Sequence, residues 1–219
     1  MMARRGVMGL LAGAATLVLG GCGLFGGNTY NVLVTVEVET PEGIKTGSSV
    51  MEISAYRSAA LTSGETRGGG GLRGEAVVVE LDDGPLVMTL KPDSGANRLA
   101  SAITVALDPS AADGLDAYMA AVSRLGRFFS DAEAELPRQD WPVFVEFGDI
   151  SDPNTLSRVS PVESGVTRIM LETVSLDVTS TIHARLPWLA NRSAYRTAED
   201  NPFTNSLPPE IGYLERTGR

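Results

Sequence analysis

The chain has 219 residues, 43% hydrophobic and 21% charged, which suits one globular domain with a small appendage and excludes wholesale disorder. One cysteine excludes a disulfide scaffold. Twenty-seven acids against eighteen basic residues give a formal charge of −9, a field that repels nucleic acid, so no nucleic-acid partner is expected.

Residues 1–21 read as an export segment. Arg4 and Arg5 form a short cationic start, Val7 to Leu19 an apolar run broken only by small residues, and Gly20-Gly21 a small-residue end before Cys22. The run is shorter than the roughly 20 residues that span a bilayer comfortably. The flanks of Arg4-Arg5 fit a twin-arginine route poorly. Leu19-Gly20-Gly21-Cys22 resembles the lipobox of bacterial lipoproteins: an aliphatic residue, two small residues, then the cysteine that becomes the new N-terminus. The resemblance implies a diacylglycerol thioether on Cys22, cleavage before it, and acylation of the freed amine, so that the membrane is met through lipid. Two or three acyl chains, at about 0.8 kcal/mol per buried CH₂, anchor firmly where one would not. By the sorting rule of Gram-negative lipoproteins, Gly23 in place of aspartate favours the outer membrane over the inner. Cleavage removes Arg4 and Arg5 but no acid, leaving a side-chain charge of −11.

Residues 22–29 are glycine-rich and read as a flexible tether. From Tyr30, strict alternation predicts a half-buried strand, with Tyr30, Val32, Val34, Val36 and Val38 on one face. Pro41-Glu42-Gly43 opens a turn, expected to exceed two residues, before a partner strand over 49–57. Residues 58–74 lack apolar periodicity and carry five glycines between Gly68 and Gly74, which predicts an exposed, mobile excursion. Strands follow at 75–81 and 86–91 around the turn Asp82-Asp83-Gly84-Pro85, and 99–107 fits either a helix or a short buried strand.

Leu115, Tyr118, Met119, Val122, Gly126 and Phe129 recur at helical spacing, predicting a helix over 113–129 with Asp113 as N-cap. Pro137 and Pro142 bracket a return to sheet at Val143, Val145 and Phe147, residues 149–160 read as a turn-rich connection, and 167–178 as a central strand. A short helix over 181–189 ends the domain, and 191–219, with no period, reads as an extended or disordered tail. The expected fold is α+β and mainly β: an antiparallel sheet domain over 30–190 with one amphipathic helix packed on it.

The stretch Leu33 to Val50 with Gly74-Glu75-Ala76-Val77 and Pro187-Trp188-Leu189 resembles a group of bacterial envelope proteins of no known activity. That resemblance implies a shared fold and transfers no catalytic residue.

Candidate chemistry is sparse. Gly69-Gly70-Gly71-Leu72-Arg73-Gly74 satisfies G-x-G-x-x-G, but a strand rather than a helix follows, so no helix N-terminus meets a pyrophosphate. Asp149, Ser151, Asp152 and Asn154 cluster oxygens of the kind calcium takes, yet lack the glycine and distal glutamate of a helix–loop–helix site and read as turn formers. His183 is the one imidazole; zinc would need three further ligands, and Cys22 is committed to lipid. Neither G-x-S-x-G nor Ser-x-x-Lys occurs. Trp141 and Trp188 stand beside prolines as core or interface anchors. No cofactor, metal or catalytic residue is expected. The sequence therefore reads as a membrane-anchored lipoprotein with a non-catalytic binding or structural role toward an envelope protein partner. The alternative is a lipid-anchored hydrolase with an acidic site. An acidic active site would bring together two acids of shifted pKa; a binding module would present an apolar patch or open sheet edge.

Overall fold

The computed structural model describes residues 28–59, 66–93, 99–127, 130–194 and 208–217. Residues 1–27, among them Leu19, Gly20, Gly21 and Cys22, lie outside the described residues, as does Phe129.

The alternating valines set the frame. β1 (Thr29–Thr40) buries Tyr30, Val32, Val34, Val36 and Val38 and leaves the intervening residues partly or wholly exposed. β2 (Gly43–Ala59) pairs antiparallel with it from Thr40↔Gly43 to Thr29↔Ser54, so only Pro41 and Glu42 form the turn. The expected longer loop is corrected: Gly43, at φ +122°, supplies the positive φ of a tight hairpin, and the strand resumes at once.

The glycine-rich stretch is also corrected. Residues 66–75 are not a mobile excursion but β3 (Thr66–Glu75), antiparallel to β2 from Ala59↔Thr66 to Glu52↔Arg73; residues 60–65 of the expected loop lie outside the described residues. The glycines serve packing. A Cβ on Gly70 would meet the Tyr118 hydroxyl at 2.2 Å, and one on Gly68 the Leu115 methyls at 2.8 Å. Glycine lets the helices described next lie directly on the strand's backbone.

Past Ala76 the chain changes sheet. β4 (Val77–Leu81) and β5 (Gly84–Pro92) form a hairpin around Asp82-Asp83. α1 (Leu99–Leu107) settles the open assignment as helix, burying Leu99, Ala100, Ile103 and Thr104. A 3₁₀ turn, Pro109–Asp113, leads into α2 (Leu115–Leu125), which buries Tyr118, Ala121, Val122 and Leu125. Asp113 is not the cap of α2: it ends the 3₁₀ turn, and Gly114 at φ +109° stands at the N-cap. The capping carboxylate is Asp108, whose Oδ1 accepts from the Ser110 amide at 3.2 Å and hydroxyl at 2.7 Å, while Arg124 reaches back to Oδ2 at 2.6 Å.

β6 (Glu133–Glu135) and β7 (Pro142–Phe147) follow, then β8 (Leu156–Val159), a strand inside the stretch expected to be turns alone, and β9 (Val166–Val174). A short helix, α3 (Ile182–Arg185), continues into a 3₁₀ segment, Pro187–Ala194. Of the stretch expected as an extended or disordered tail, residues 195–207 and 218–219 lie outside the described residues, and the described part is ordered instead: Pro209–Tyr213 forms a 3₁₀ turn, and β10 (Glu215–Arg216) pairs with Gly74 and Glu75 of β3. Ile211 and Leu214 are buried there, a spacing too short for sequence periodicity to register.

The strands build two antiparallel sheets, ordered β10-β3-β2-β1-β9-β6 and β4-β5-β7-β8. The fold is α+β and mainly β, with two sheets and with α1 joining α2 on the larger one. One core lies between the inner face of the larger sheet, both helices and the near face of the smaller sheet, centred on Val34, Met51, Ile53, Met88, Ile103 and Ile169. A second lies on the smaller sheet's far face, where Val145 and Phe147 meet Ile182, Leu186, Ile211 and Leu214. The sheets approach closely at Gly47 of β2, where a Cβ would stand 2.2 Å from the Val78 carbonyl oxygen. After β9 the chain crosses β1 and β2: Asn31 Nδ2 donates to Leu176 O at 2.7 Å, and the Thr179 amide to Val50 O at 3.0 Å. This strap buries Val50 and delivers Thr181 to Glu75, whose buried carboxylate accepts from the Thr181 hydroxyl and the Ile182 amide.

Candidate ligand-binding cleft

The most distinctive concave surface forms where the smaller sheet runs out of strand. β8 pairs with β7 only from Phe147↔Leu156 to Phe144↔Val159. At Ser160 the chain turns away, closed by Ser164 N to Ser160 O at 2.9 Å and Gly165 N to Val162 O at 3.2 Å, with Gly165 at φ +79°. The start of β7 is thus left without a neighbour on that side among the described residues, and a cleft of about 680 Å³ opens there.

Its floor is Trp141. The 3₁₀ turn Arg138–Asp140 delivers this residue, the Trp141 amide donates to Arg138 O at 3.2 Å, and the indole Nε1 donates to Leu136 O at 2.9 Å. The indole N–H is therefore satisfied although the residue is buried. Its ring lies 6.5 Å from that of Phe144, tilted by 53°. The Arg138 guanidinium lies over the indole, 5.4 Å from its centroid. Arg158 forms the other cationic wall, its Nη2 2.7 Å from Asp93 and its Nε 3.7 Å from the buried carboxylate of Glu210, which Lys91 meets at 3.4 Å. Gln139, Ser160, Pro161 and Val162 complete the lining. The arrangement concentrates guanidinium charge over an aromatic floor in a chain of net charge −9.

A second cleft of about 490 Å³ lies beside Gly68–Gly70, bounded by Ser101, Val105, Leu115 and Tyr118. Beneath it, the Tyr30 hydroxyl bonds Thr104 Oγ1 at 2.9 Å, Thr104 back-bonds Ala100 O at 2.8 Å, and its Oγ1 meets the Tyr118 hydroxyl at 3.4 Å. Burial pushes the pKa of both tyrosines up, so they remain neutral hydrogen-bonding groups.

Apart from Trp141 on the floor of the first cleft and Gly69 and Gly70 beside the second, the residues singled out by sequence fall elsewhere. Gly69–Gly74 lies in β3 with no helix opening after it. Asp149 Oδ1 accepts from the Ser151 amide and hydroxyl at 2.8 and 2.7 Å, and Asp152 Oδ1 from the Asn154 amide and side chain at 2.9 and 2.8 Å, so both carboxylates close turns. Among the described residues, no three His, Cys, Asp or Glu side chains converge as metal ligands would. His183 Nε2 lies 3.0 Å from Glu215 of β10, tying α3 to the C-terminal strand. Trp188 packs its ring 6.0 Å from Phe147 and donates to Ile150 O at 2.9 Å. Two acids are held more acidic than usual. Burial of Asp108 works against ionisation, but the Ser110 and Arg124 hydrogen bonds outweigh it; the Ser151 hydroxyl and amide lower Asp149. They sit in separate turns, and neither lines the two clefts.

Sequence reading missed Arg138 and Arg158. Trp141 beside Pro142 was the one available cue; Arg158 offered none, because β8 is too short to register as a strand.

Comparison with protein-family models, curated proteins and solved structures finds no match, so the functional reading rests on the chain's own residues.

Proposed function

We propose that this protein is a bacterial lipoprotein, held to the envelope membrane by lipid on Cys22, whose domain is a non-catalytic binding module. The observation that carries the reading is the placement of the chain's one cysteine: after Leu19-Gly20-Gly21, at the end of an apolar run behind two arginines. The folded body is compatible with an anchor of this kind, since β1 begins at Thr29, a few residues beyond Cys22. Among the described residues no helix is long and apolar enough to cross a membrane.

Binding rather than hydrolysis is favoured by the character of the acids. A general acid at neutral pH needs a raised pKa, and the two shifted carboxylates, Asp108 and Asp149, are lowered by the hydrogen bonds that make them caps. The cleft instead offers guanidinium groups above a buried aromatic floor, an arrangement suited to holding a ligand. The bound partner belongs to the envelope, and Gly23 favours the outer membrane.

Metabolic labelling with an alkynyl palmitate tests the anchor. The wild-type chain takes up label and Cys22→Ser does not; equal labelling of the two chains refutes the reading.

A further inference from the structure

We propose that the cleft floored by Trp141 binds a small organic anion: a carboxylate or phosphate carried on a ring or other apolar body. This deepens the binding-module half of the reading above and does not depend on the lipid. Arg138 is the first element. It is exposed, stacked on Trp141, and meets no carboxylate among the described residues, in a chain whose overall charge is −9. The indole holds the guanidinium at the cleft, and no carboxylate among the described residues takes its N–H groups, so a bidentate acceptor can. Both carboxylate and phosphate present such a pair of oxygens.

Arg158 is the second. Asp93 takes its Nη2 and Glu210 faces its Nε, which fixes the side chain while leaving Nη1 uncommitted among the described residues. The one acid lining the cleft, Asp93, is thus already engaged by Arg158. The pair cancels in charge, so net attraction of an anion falls to Arg138, and Arg158 contributes the donors on Nη1.

The apolar half of the ligand follows from the remaining walls. Trp141, Pro142, Phe144 and Pro161 line the interior, and Val162 stands 57% exposed at the rim. A bare inorganic ion would leave that surface wet, whereas a ring-bearing anion would cover it while placing its charge at the arginines. Gln139 and Ser160 add neutral donors at the mouth. A volume of about 680 Å³ lies within the range of small-molecule sites.

The test uses the full chain in phosphatidylcholine nanodiscs, with empty nanodiscs as blank. Calorimetric titration with 2-naphthyl phosphate and 2-naphthoate is compared with the neutral 2-naphthalenemethanol. Saturable one-to-one binding of at least one anion is expected, with the alcohol weaker by roughly tenfold or more. Arg138→Gln weakens that anion by roughly ten- to a hundredfold, as loss of a charge-assisted pair implies, with a melting temperature lower by no more than about 1–4 °C, the loss of one exposed cation–π contact. A Trp188→Phe chain retains one tryptophan, Trp141, whose fluorescence then reports occupancy directly. Equal affinity for alcohol and anion, an Arg138→Gln chain that binds as the wild type does, or no saturable heat with either anion would each overturn the proposal. Cys22→Ser binds like the wild type, so a failed anchor and a failed cleft give separate results.

Discussion

Replacing Gly47 by alanine tests whether the two sheets meet where the structure places them. Gly47 has no positive φ, so alanine suits the backbone, and the effect isolates packing. The added Cβ would lie 2.2 Å from the Val78 carbonyl oxygen and 2.8 Å from its carbon, where ordinary contact begins near 3.4 Å. The shortfall is about 1 Å, and the obstacle is backbone, which no rotamer change moves aside. Opening the contact by that much forfeits roughly a quarter to a half of the dispersion energy of each atom pair across it. Overpacking of this kind costs about 1–3 kcal/mol. Restricting the unfolded chain returns about 0.4–1 kcal/mol. Because the obstacle is backbone, the cost lies in the upper part of the overpacking range, about 2–3 kcal/mol, and the net loss of roughly 1–2.6 kcal/mol corresponds to a melting temperature lower by about 2–10 °C for a chain of this size. Thermal unfolding followed by circular dichroism reads it directly, with the exposed neighbour Ser48→Ala as a control that shifts by less than a degree or two. A Gly47→Ala chain melting at or above the wild-type temperature would refute the reasoning.

Gly70→Ala clashes with a side-chain atom rather than backbone, the Tyr118 hydroxyl at 2.2 Å. It should cost about 1–3 kcal/mol, and Tyr118→Phe should recover part of that cost in the double variant; strictly additive losses in urea titrations would contradict the contact. The pH prediction concerns Asp108, whose folded pKa lies below its ordinary value of 3.8. Its stabilisation is full above that value and fades as pH falls through the lower folded pKa, so Asp108→Asn should melt below the wild type at pH 7 by a gap that narrows as pH falls below 3.8. A gap that persists undiminished at pH 2 would show that the carboxylate charge is not what holds the turn.

Long periodic elements were the legible part of this fold. β1 shows its burial in its letters because five β-branched or aromatic residues alternate with residues that, Leu33 apart, are polar, and α2 shows its apolar stripe at helical spacing. What escaped was whatever depends on distant partners. Glycines in β3 read as a loop because their purpose, room for Tyr118 and Leu115, lies about 47 residues away in the chain. β8 and β10 span four and two residues, too few for any period, and exist because β7 and β3 offer them an edge. The cleft was illegible for the same reason: Arg138 and Arg158 come together only through the ends of β7 and β8, and neither belongs to a motif.

The central position of β1 also sets the order in which the molecule can be built. One edge of the strand is satisfied early, by the adjacent hairpin. The other waits for β9, whose Arg168 meets Glu37 across 131 residues of chain. The hairpin is complete at Ser54 and β9 at Val174, so at about 5–20 residues per second ribosomal synthesis alone separates those events by roughly 6–24 s. Throughout that interval a row of valines and an unpaired backbone edge stand open to adhesion by other chains, the hazard that late pairing of a central strand carries.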